Sequence, residues 1–501
     1  MANAYNQRGG RVAVTNSDEV VGCVPLPYFL VRTDFLLSIS LLQFMANEGL
    51  VPSPDETLKR RSIVLRLEKI VQDWITKVAW QRKRPENGIS NASAGVIIYG
   101  SYGLGVHNSE SDIDALCFGP FFATMEEDFF IGLHNVLKST SGVSKIHCVK
   151  DAKVPLMRFI FEGIAVDMPY ARLPENVDML SPMLPTSIDE TTLKILSGVR
   201  VNKRILQLVP HLENFQSLLR CVKFWAKQRG VYGHLFGFLG GIHLAILSAF
   251  ICQTSPDFCL SALVLKFFNT FANWPWPIPV VLQGNTIQVV RDVIEKGWMP
   301  IRMPCSPSEC CQSNVTRSTF TRIMNEFLRG HKLTMGILQP DFEWVNLFEP
   351  YSNMYRQLYS RFLKIDLLAC AKDNLGDWIG RVKSRFPSLI LKLEEMNVLC
   401  DPNPTEYVDQ HSGNVDSKKS VVFYWGLGTD RPMDINVTSL EKDFRSNLSS
   451  GYRGMPGKMK LSIVPASELP NIVQLPKTKR MEACWRVPEH DQYRMPNSFT
   501  G

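Results

Sequence analysis

An α+β chain of several domains is what the sequence predicts, on three observations. Between Gly95 and Tyr170, short runs rich in β-branched and aromatic residues are broken by glycines, the pattern of a small mixed sheet. From about residue 186 to 340, apolar residues recur at helical spacing. Beyond 340, strand-like alternation returns among helical stretches. The chain has 501 residues, 45% of them hydrophobic, enough for about three cores at roughly 150 residues each. The changes of texture place N-terminal helices at 1–85, joined to the middle unit, and a mixed sheet at 86–185. A helical middle unit follows at 186–340, a second α+β unit at 341–470 and a polar tail at 471–501.

The first apolar run, Phe35 to Met45, predicts a helix ending near Asn47-Glu48-Gly49. Ser53-Pro54-Asp55-Glu56 then reads as a capping-box start, with a serine cap, proline at the first helical position and acids at the positive end of the dipole. The helix it opens carries Ile63, Leu67, Ile70, Val71, Trp74, Ile75 and Val78 on one face. Its Lys59, Arg60 and Arg61 read as a solvated face within reach of RNA.

Val96 to Tyr99 predicts a strand that Gly100-Ser101 breaks at a turn. A second strand is expected over Asp112 to Cys117, a helix over Met125 to Lys138 and a strand over Val143 to Val149. Met157 to Phe161 and Ile164 to Tyr170 alternate around Glu162-Gly163 as a hairpin does. Helices are expected near 189–208, 213–229, 236–253, 258–272 and 317–330, with a loop near 299–314. Phe362 to Ala369 alternates, Ala371 to Met396 has helical spacing, and residues 401–419 look like a polar loop. Strands recur at Val421 to Trp425 and Lys458 to Val464.

Composition excludes several classes. The first twenty residues show no secretory signal, and the most apolar run, Phe236 to Cys252, is shorter than the roughly 20 residues of a membrane span. Twelve cysteines occur without a C-x-x-C pair, which points to free thiols in a reducing compartment rather than a zinc site. The net charge of +7 suits a nucleic-acid partner without requiring one.

The chemistry concentrates in one stretch. Residues two apart on a strand share a face at about 6.6 Å, so Asp112 and Asp114 project together, while Asp167 interrupts an otherwise apolar strand. Adjacent like charges repel, and a divalent cation with oxygen ligands is the ordinary way to offset them. If the two strands are neighbours, three carboxylates converge, a set that suits two-metal phosphoryl transfer. Ten residues upstream, the turn at Gly100-Ser101 can offer backbone N–H groups and a hydroxyl to phosphate oxygens.

These residues resemble the DNA polymerase β-like nucleotidyltransferases. More narrowly, Gly100 to His107 with Asp112-Ile113-Asp114, Asp167 to Leu173, Val222 to Lys227 and Phe236 to Gly241 look like the eukaryotic nuclear-type poly(A) polymerases, in a short, plant-like form. Trp274 to Pro277, Met299-Pro300-Ile301 and Asn314-Val315 match too. The resemblance implies a polymerase β-like nucleotidyltransferase sheet, a helical middle domain and an RNA-recognition-motif-like (RRM-like) C-terminal domain. It implies that Asp112, Asp114 and Asp167 hold Mg²⁺ or Mn²⁺ at a two-metal site and act in catalysis, with Asp167 nearest the RNA 3′ end. Bound ATP would meet those three aspartates and Tyr99, Gly100, Ser101, Asn108, Ile113, Lys223, Tyr232, Gly241 and Ile242.

The implied activity is template-independent addition of AMP from ATP to messenger RNA 3′ ends, in a monomer partnered by the cleavage and polyadenylation specificity factor complex. A related terminal uridylyl or nucleotidyltransferase, or a catalytically silent RNA-binding subunit, are the alternatives. Gly103 stands where the family usually has arginine, Ser197 and His234 where asparagines are usual, and Cys310-Cys311-Gln312 where a small polar run is expected. Lys223 with Lys227 one turn on otherwise reads as a solvated pair, Gly240-Gly241 as glycines inside an apolar helix, and His243 as a satisfied core histidine. The weak basic cluster Lys477-Thr478-Lys479-Arg480 leaves nuclear and cytoplasmic pools both open, and no membrane association is expected.

Overall fold

The computed structural model describes residues 28–83, 94–150, 152, 154–174, 177, 181, 184–282, 297–339, 341–368, 375–408, 420–428, 435–450 and 457–470. The basic cluster at 477–480 and the tail from 471 lie outside the described residues, as does 409–419 of the polar loop expected over 401–419; its first part instead holds strand residues at Asp401-Pro402 and Tyr407–Val408.

Five strands form the first sheet: β1 (Gly95–Tyr99), β2 (Ile113–Pro120), β3 (Val143–Val149), β4 (Leu156–Phe161) and β5 (Ile164–Leu173). Their order is β1-β2-β5-β4-β3, with β2 and β5 parallel and the other pairs antiparallel. Period-two alternation divides the side chains between two cores. Ile113, Ala115, Cys117, Val166, Met168 and Tyr170 face the helix Pro54–Gln81 and the segment Met125–Leu133, whereas Leu116, Ala171 and Leu173 face the helix Glu190–Leu208. The hairpin between β4 and β5 turns on Glu162 (φ 50°) and Gly163 (φ 86°), as alternation around these residues predicts.

Helix Pro54–Gln81 starts where the cap signal places it, with Ser53 Oγ accepting from the Glu56 N–H at 3.2 Å. Glu56 does not complete a box; its carboxylate accepts from Arg60 Nε at 3.3 Å. The apolar face inserts Ile63, Leu67, Val71, Trp74, Ile75 and Val78 under the sheet, and Trp74 Nε1 donates to the Asp128 carbonyl at 3.0 Å. This corrects the expectation that both N-terminal helices join the middle unit, because only Tyr28–Asn47 contributes to that core. The expected helix over Met125 to Lys138 winds as a π-helix over Met125–Leu133 before continuing as His134–Ser139.

The middle unit packs Leu212–Gln228, Gly241–Thr254, Leu260–Ala272 and Arg317–Met335 around an aromatic centre. There Trp225 stacks on Phe327 with centroids 5.5 Å apart and Phe268 lies edge-on at 5.0 Å, both within the roughly 4.5–7 Å typical of such pairs. The helix expected from residue 236 begins later. Gly237 takes φ 77°, so the chain turns after Phe236, and Gly240 caps a helix whose first residue is Gly241. The pair therefore escapes the cost of mid-helix glycine. The loop expected near 299–314 contains a hairpin, β6 (Arg302–Met303) with β7 (Ser306–Cys310). No helix among the described residues is long and apolar enough to cross a membrane, and Cys117, Cys148, Cys221, Cys252, Cys259, Cys305, Cys311 and Cys400 are free thiols.

In the C-terminal unit, β8 (Arg361–Leu368), β9 (Leu399–Pro402), β10 (Tyr407–Val408), β11 (Ser420–Gly428) and β12 (Lys458–Pro465) form an antiparallel sheet of order β10-β11-β8-β12, with β9 also on β11. One face buries Leu363, Ile365, Leu367, Phe423 and Trp425 with the helices Leu375–Lys383, Phe386–Glu395 and Val437–Ser449. The single stretch expected from Ala371 to Met396 breaks at Ser384-Arg385, with Pro387 in the first turn of the second helix. Tyr351, Tyr355 and Tyr359 cover part of the other face beside Phe362, Val422 and Tyr424.

A buried ionic network joins this unit to the middle one. Glu326 accepts from Arg229 Nε at 2.8 Å and Nη2 at 3.0 Å and from Arg322 Nη1 at 2.7 Å. Asp401 accepts from the hydroxyls of Tyr351 at 2.6 Å and Tyr359 at 3.0 Å. Burial pulls the Glu326 carboxyl upward, but the two guanidinium groups outweigh it and hold it below its ordinary value. Glu326→Gln should therefore destabilise the protein by about 3 kcal/mol at neutral pH, since it strands buried arginine charge. Urea unfolding measures it; a loss under about 1 kcal/mol would mean the arginines find other partners.

Candidate active site

Strand β1 ends at Tyr99 and the chain reverses at once. Gly100 takes φ 63°, opening the single helical turn Gly100–Gly103, and Gly105 at φ 71° closes it. A Cβ on Gly100 would sit 1.8 Å from Asp114 Oδ2, so only glycine lets the turn lie against the acidic strand. The turn is held from the helical side. Asn202 Nδ2 donates to the Gly100 carbonyl at 2.9 Å and Gln216 Nε2 to the Leu104 carbonyl at 3.0 Å, while Arg220 Nη2 donates to the Gly105 carbonyl. A Cβ on Gly103 would come within 3.2 Å of Asn202 Nδ2. The small residue at 103 thus makes room for the amide that fixes the turn.

The following loop is organised by Arg60. Predicted as part of a solvated face, this side chain is fully buried while Lys59 and Arg61 are exposed. Its Nη2 donates to the carbonyls of Asn108 at 3.2 Å, Ser109 at 3.1 Å and Ser111 at 2.6 Å. Within the loop, Ser111 Oγ donates to Asn108 Oδ1 at 2.7 Å and accepts from the Asn108 N–H at 3.0 Å. Helical spacing could not reveal a contact 48 to 51 residues away.

Asp112 leads into β2, which starts one residue later than expected, and Asp114 lies on it. Asp114 pairs with Tyr99 on one side and Asp167 on the other, and Asp167 pairs in turn with Arg158. One rung across four strands therefore reads Tyr99, Asp114, Asp167, Arg158. The neighbouring strands expected for the two carboxylates are present. Burial first, and then the charges of Asp112 and Asp167, push the Asp114 carboxyl up to about 7, against the pull of Lys223. Burial and the same three aspartates raise Tyr99 as well.

A cleft of about 520 Å³, within the usual range for a ligand site, opens between this rung and the helical unit. It brings together Gly100, Ser101, Asn108, Asp112, Asp114, Lys223, Tyr232, Gly241 and Ile242. Three expected residues stand elsewhere. Ile113 points into the opposite core and is fully buried, so it can offer the cleft only backbone; Tyr99 packs behind Asp114 beside Gly198; Asp167 lies next along the rung. The cleft also takes in Lys227, read from sequence as half of a solvated pair, and Asn202, Ser111 and Glu110, none of these three singled out from sequence.

Lys223 is not the solvated residue its helix suggested. Burial and Lys227 lower its ammonium to about 8, with Asp112 and Asp114 opposing. Exposed Lys227 stands 5.6 Å from the Tyr232 ring centre. A Cβ on Gly241 would meet Tyr232 Oη at 3.3 Å, so a larger residue there would press on the hydroxyl. Of the departures noted in the sequence, Ser197, His234 and Cys310-Cys311-Gln312 do not border the cleft. His234 stacks on buried His243 at 6.0 Å, and His243 Nδ1 accepts from the Gly240 N–H at 3.1 Å.

The donor set suits a hard divalent cation, because its oxygens are carboxylates whose mutual repulsion shows in Asp114. The side chains as placed do not form a three-ligand group among the described residues. Asp167 has both oxygens on Arg158, at 2.7 Å from Nε and 2.7 Å from Nη2. Asp112 and Asp114 line the cleft with carboxylates of the kind such an ion takes, and Asp167 lies one pairing away with its oxygens on Arg158.

An acidic rung beside a glycine turn, facing a lysine across a cleft, is the architecture of a nucleotidyltransferase. The comparisons agree: a model described as the poly(A) polymerase nucleotidyltransferase domain matches residues 32–209, and one described as the poly(A) polymerase central domain matches residues 214–350. The chain belongs to the poly(A) polymerase family. It is 52% identical to "Nuclear poly(A) polymerase 3" of Arabidopsis thaliana over 468 residues, 91% of this chain and 90% of that protein. It is 37% identical to "Nuclear poly(A) polymerase 4" of the same plant over 421 residues, 80% of this chain and 56% of that longer one. A solved structure of the RNA terminal uridylyl transferase Cid1 resembles it with a TM-score of 0.44 at 15% identity, covering 64% of this chain and 99% of that one.

Proposed function

We propose that this chain is a polynucleotide adenylyltransferase, which adds AMP from ATP to RNA 3′ ends without a template and releases pyrophosphate. The observation that carries the reading is the rung of Asp114 and Asp167 beside the Gly100 turn, in a chain so similar to a nuclear poly(A) polymerase. Two divalent cations, Mg²⁺ or Mn²⁺, held by Asp112, Asp114 and Asp167 would supply a lower pKa for the attacking hydroxyl and charge neutralisation for pyrophosphate. The chain's own groups do the rest. The Gly100-Ser101 turn offers N–H groups and a hydroxyl to the phosphates, with Asn108 alongside. Lys223 supplies positive charge, Tyr232 a hydroxyl, and Gly241 with Ile242 the floor under the base. Asp167 faces the RNA 3′-hydroxyl.

Incubation of purified protein with a short RNA, each nucleotide separately and either metal tests this reading. Tails grow with ATP; absence of any metal-dependent tail overturns it. Protonated Lys223 binds phosphate, and its pKa is lowered to about 8. The KM for ATP should therefore rise as pH goes from 7 to 9, and Lys223→Arg should flatten the profile. A flat wild-type profile would remove Lys223 from the phosphate site.

We read the C-terminal unit as an RRM-like, RNA-binding domain, supported by its antiparallel sheet with helices on one face. Domain limits of 86–185, 186–340 and 341–470 accompany that reading, with helix Pro54–Gln81 moved to the first unit. Nuclear action follows the relatives' names, with a cytoplasmic pool left to imaging of the tagged protein. Partnership with the cleavage and polyadenylation specificity factor complex, by a monomer, is the matching assembly. A second reading, a transferase preferring another nucleotide, draws on the His234–His243 stack next to Gly240 and Gly241. The nucleotide panel separates the two.

A further inference from the structure

Asp167 already has a cation on its carboxylate. Arg158 faces it across the antiparallel pair of β4 and β5 and donates Nε to Oδ1 and Nη2 to Oδ2, each at 2.7 Å. This fork geometry occupies both carboxylate oxygens at once. The Asp167 side chain is 15% exposed and the Arg158 side chain 57% exposed, so the clamp reaches a nearly buried acid from the solvent side.

We propose that Arg158 is a positioning residue that competes with divalent cations for Asp167: its guanidinium orients and neutralises the carboxylate, and it must yield an oxygen before the acidic set can close on metal. The inference rests on the reading of Asp112, Asp114 and Asp167 as metal ligands. The contact is partly solvated, so its strength is modest, on the order of 1 kcal/mol, which corresponds to about fivefold in a binding constant. Arginine is suited to the task because it cannot lose its charge at any working pH and its fork holds the acid in one orientation.

Mn²⁺ titration of the full-length protein, followed by the electron paramagnetic resonance signal of free Mn²⁺ without RNA or nucleotide, tests the proposal apart from activity. Arg158→Gln should bind Mn²⁺ about fivefold more tightly than wild type. Arg158→Lys keeps the charge but holds one oxygen at a time, and should move in the same direction. In an Asp167→Asn background, Arg158→Gln should have no further effect. Unchanged or weaker affinity in Arg158→Gln, wild-type affinity in Arg158→Lys, or an equal gain in the Asp167→Asn background would each overturn the competition. If Arg158→Gln and the Arg158→Gln/Asp167→Asn double variant bind Mn²⁺ equally, and no tighter than wild type, the metal-ligand reading of Asp167 itself fails, which is a separate outcome. Circular dichroism of each variant establishes that the sheet is intact.

Discussion

Asp114→Asn should cut nucleotide incorporation by about three orders of magnitude or more while leaving the melting temperature unchanged or raised. The expected loss follows from its place on the rung, where removal of one ligand forfeits several kcal/mol of charge stabilisation in the transition state. The stability expectation has the opposite sign because Asp114 is half-buried, and burial first, then the neighbouring like charges, push its carboxyl up to about 7. An amide of the same shape removes that repulsion and keeps the contact with Gly100. Single-turnover extension of a labelled RNA with ATP reads the first effect and a thermal melt the second. Near-normal incorporation would take Asp114 out of the chemistry, and a marked drop in melting temperature would show that its charge is compensated.

Arg60→Ala should damage both stability and rate. Its Nη2 serves three carbonyls of the loop that delivers Asn108, Ser111 and Asp112, and it is fully buried. Loss of these part-buried bonds, together with the space left by a fully buried side chain, should cost about 3 kcal/mol. The loop then loses its anchor, and a displacement of about 1 Å at a reacting group can cost roughly 10²-fold in rate. Urea unfolding and the RNA extension assay measure the two. A fall in stability with unchanged rate would make Arg60 a strut for the helix alone. Arg60→Lys should not restore the wild type, since a compact ammonium does not reproduce the planar group that lies 5.9 Å from the Tyr102 ring centre.

Much of the site was legible because its signals are local. A glycine at a strand end marks the turn, carboxylates two apart mark a shared face, and an acid in an apolar strand marks a functional position. What escaped was tertiary. Asn202, Gln216 and Arg220 come from helices about a hundred residues downstream and bond to backbone carbonyls, a contact with no sequence pattern. Arg60 sits among exposed basic neighbours, so its burial is invisible to helical periodicity. The late start of the helix at Gly241 was masked by apolar residues from 236 onward, although glycines at 233 and 237 were available as turn signals. Pro387 was likewise a usable sign that the stretch from 371 to 396 holds two helices.

The rung from Tyr99 to Arg158 is assembled across four strands. Each of its four members comes from a different strand, and a slip of a single residue in any pairing turns that strand's member to the opposite side of the sheet. Chemistry here is all or none with respect to register: a chain that collapses with its strands one step out of line keeps its hydrophobic content and loses its acids. Activity regained after denaturation would therefore count correctly threaded sheets, where a spectroscopic measure of strand content would count every sheet alike.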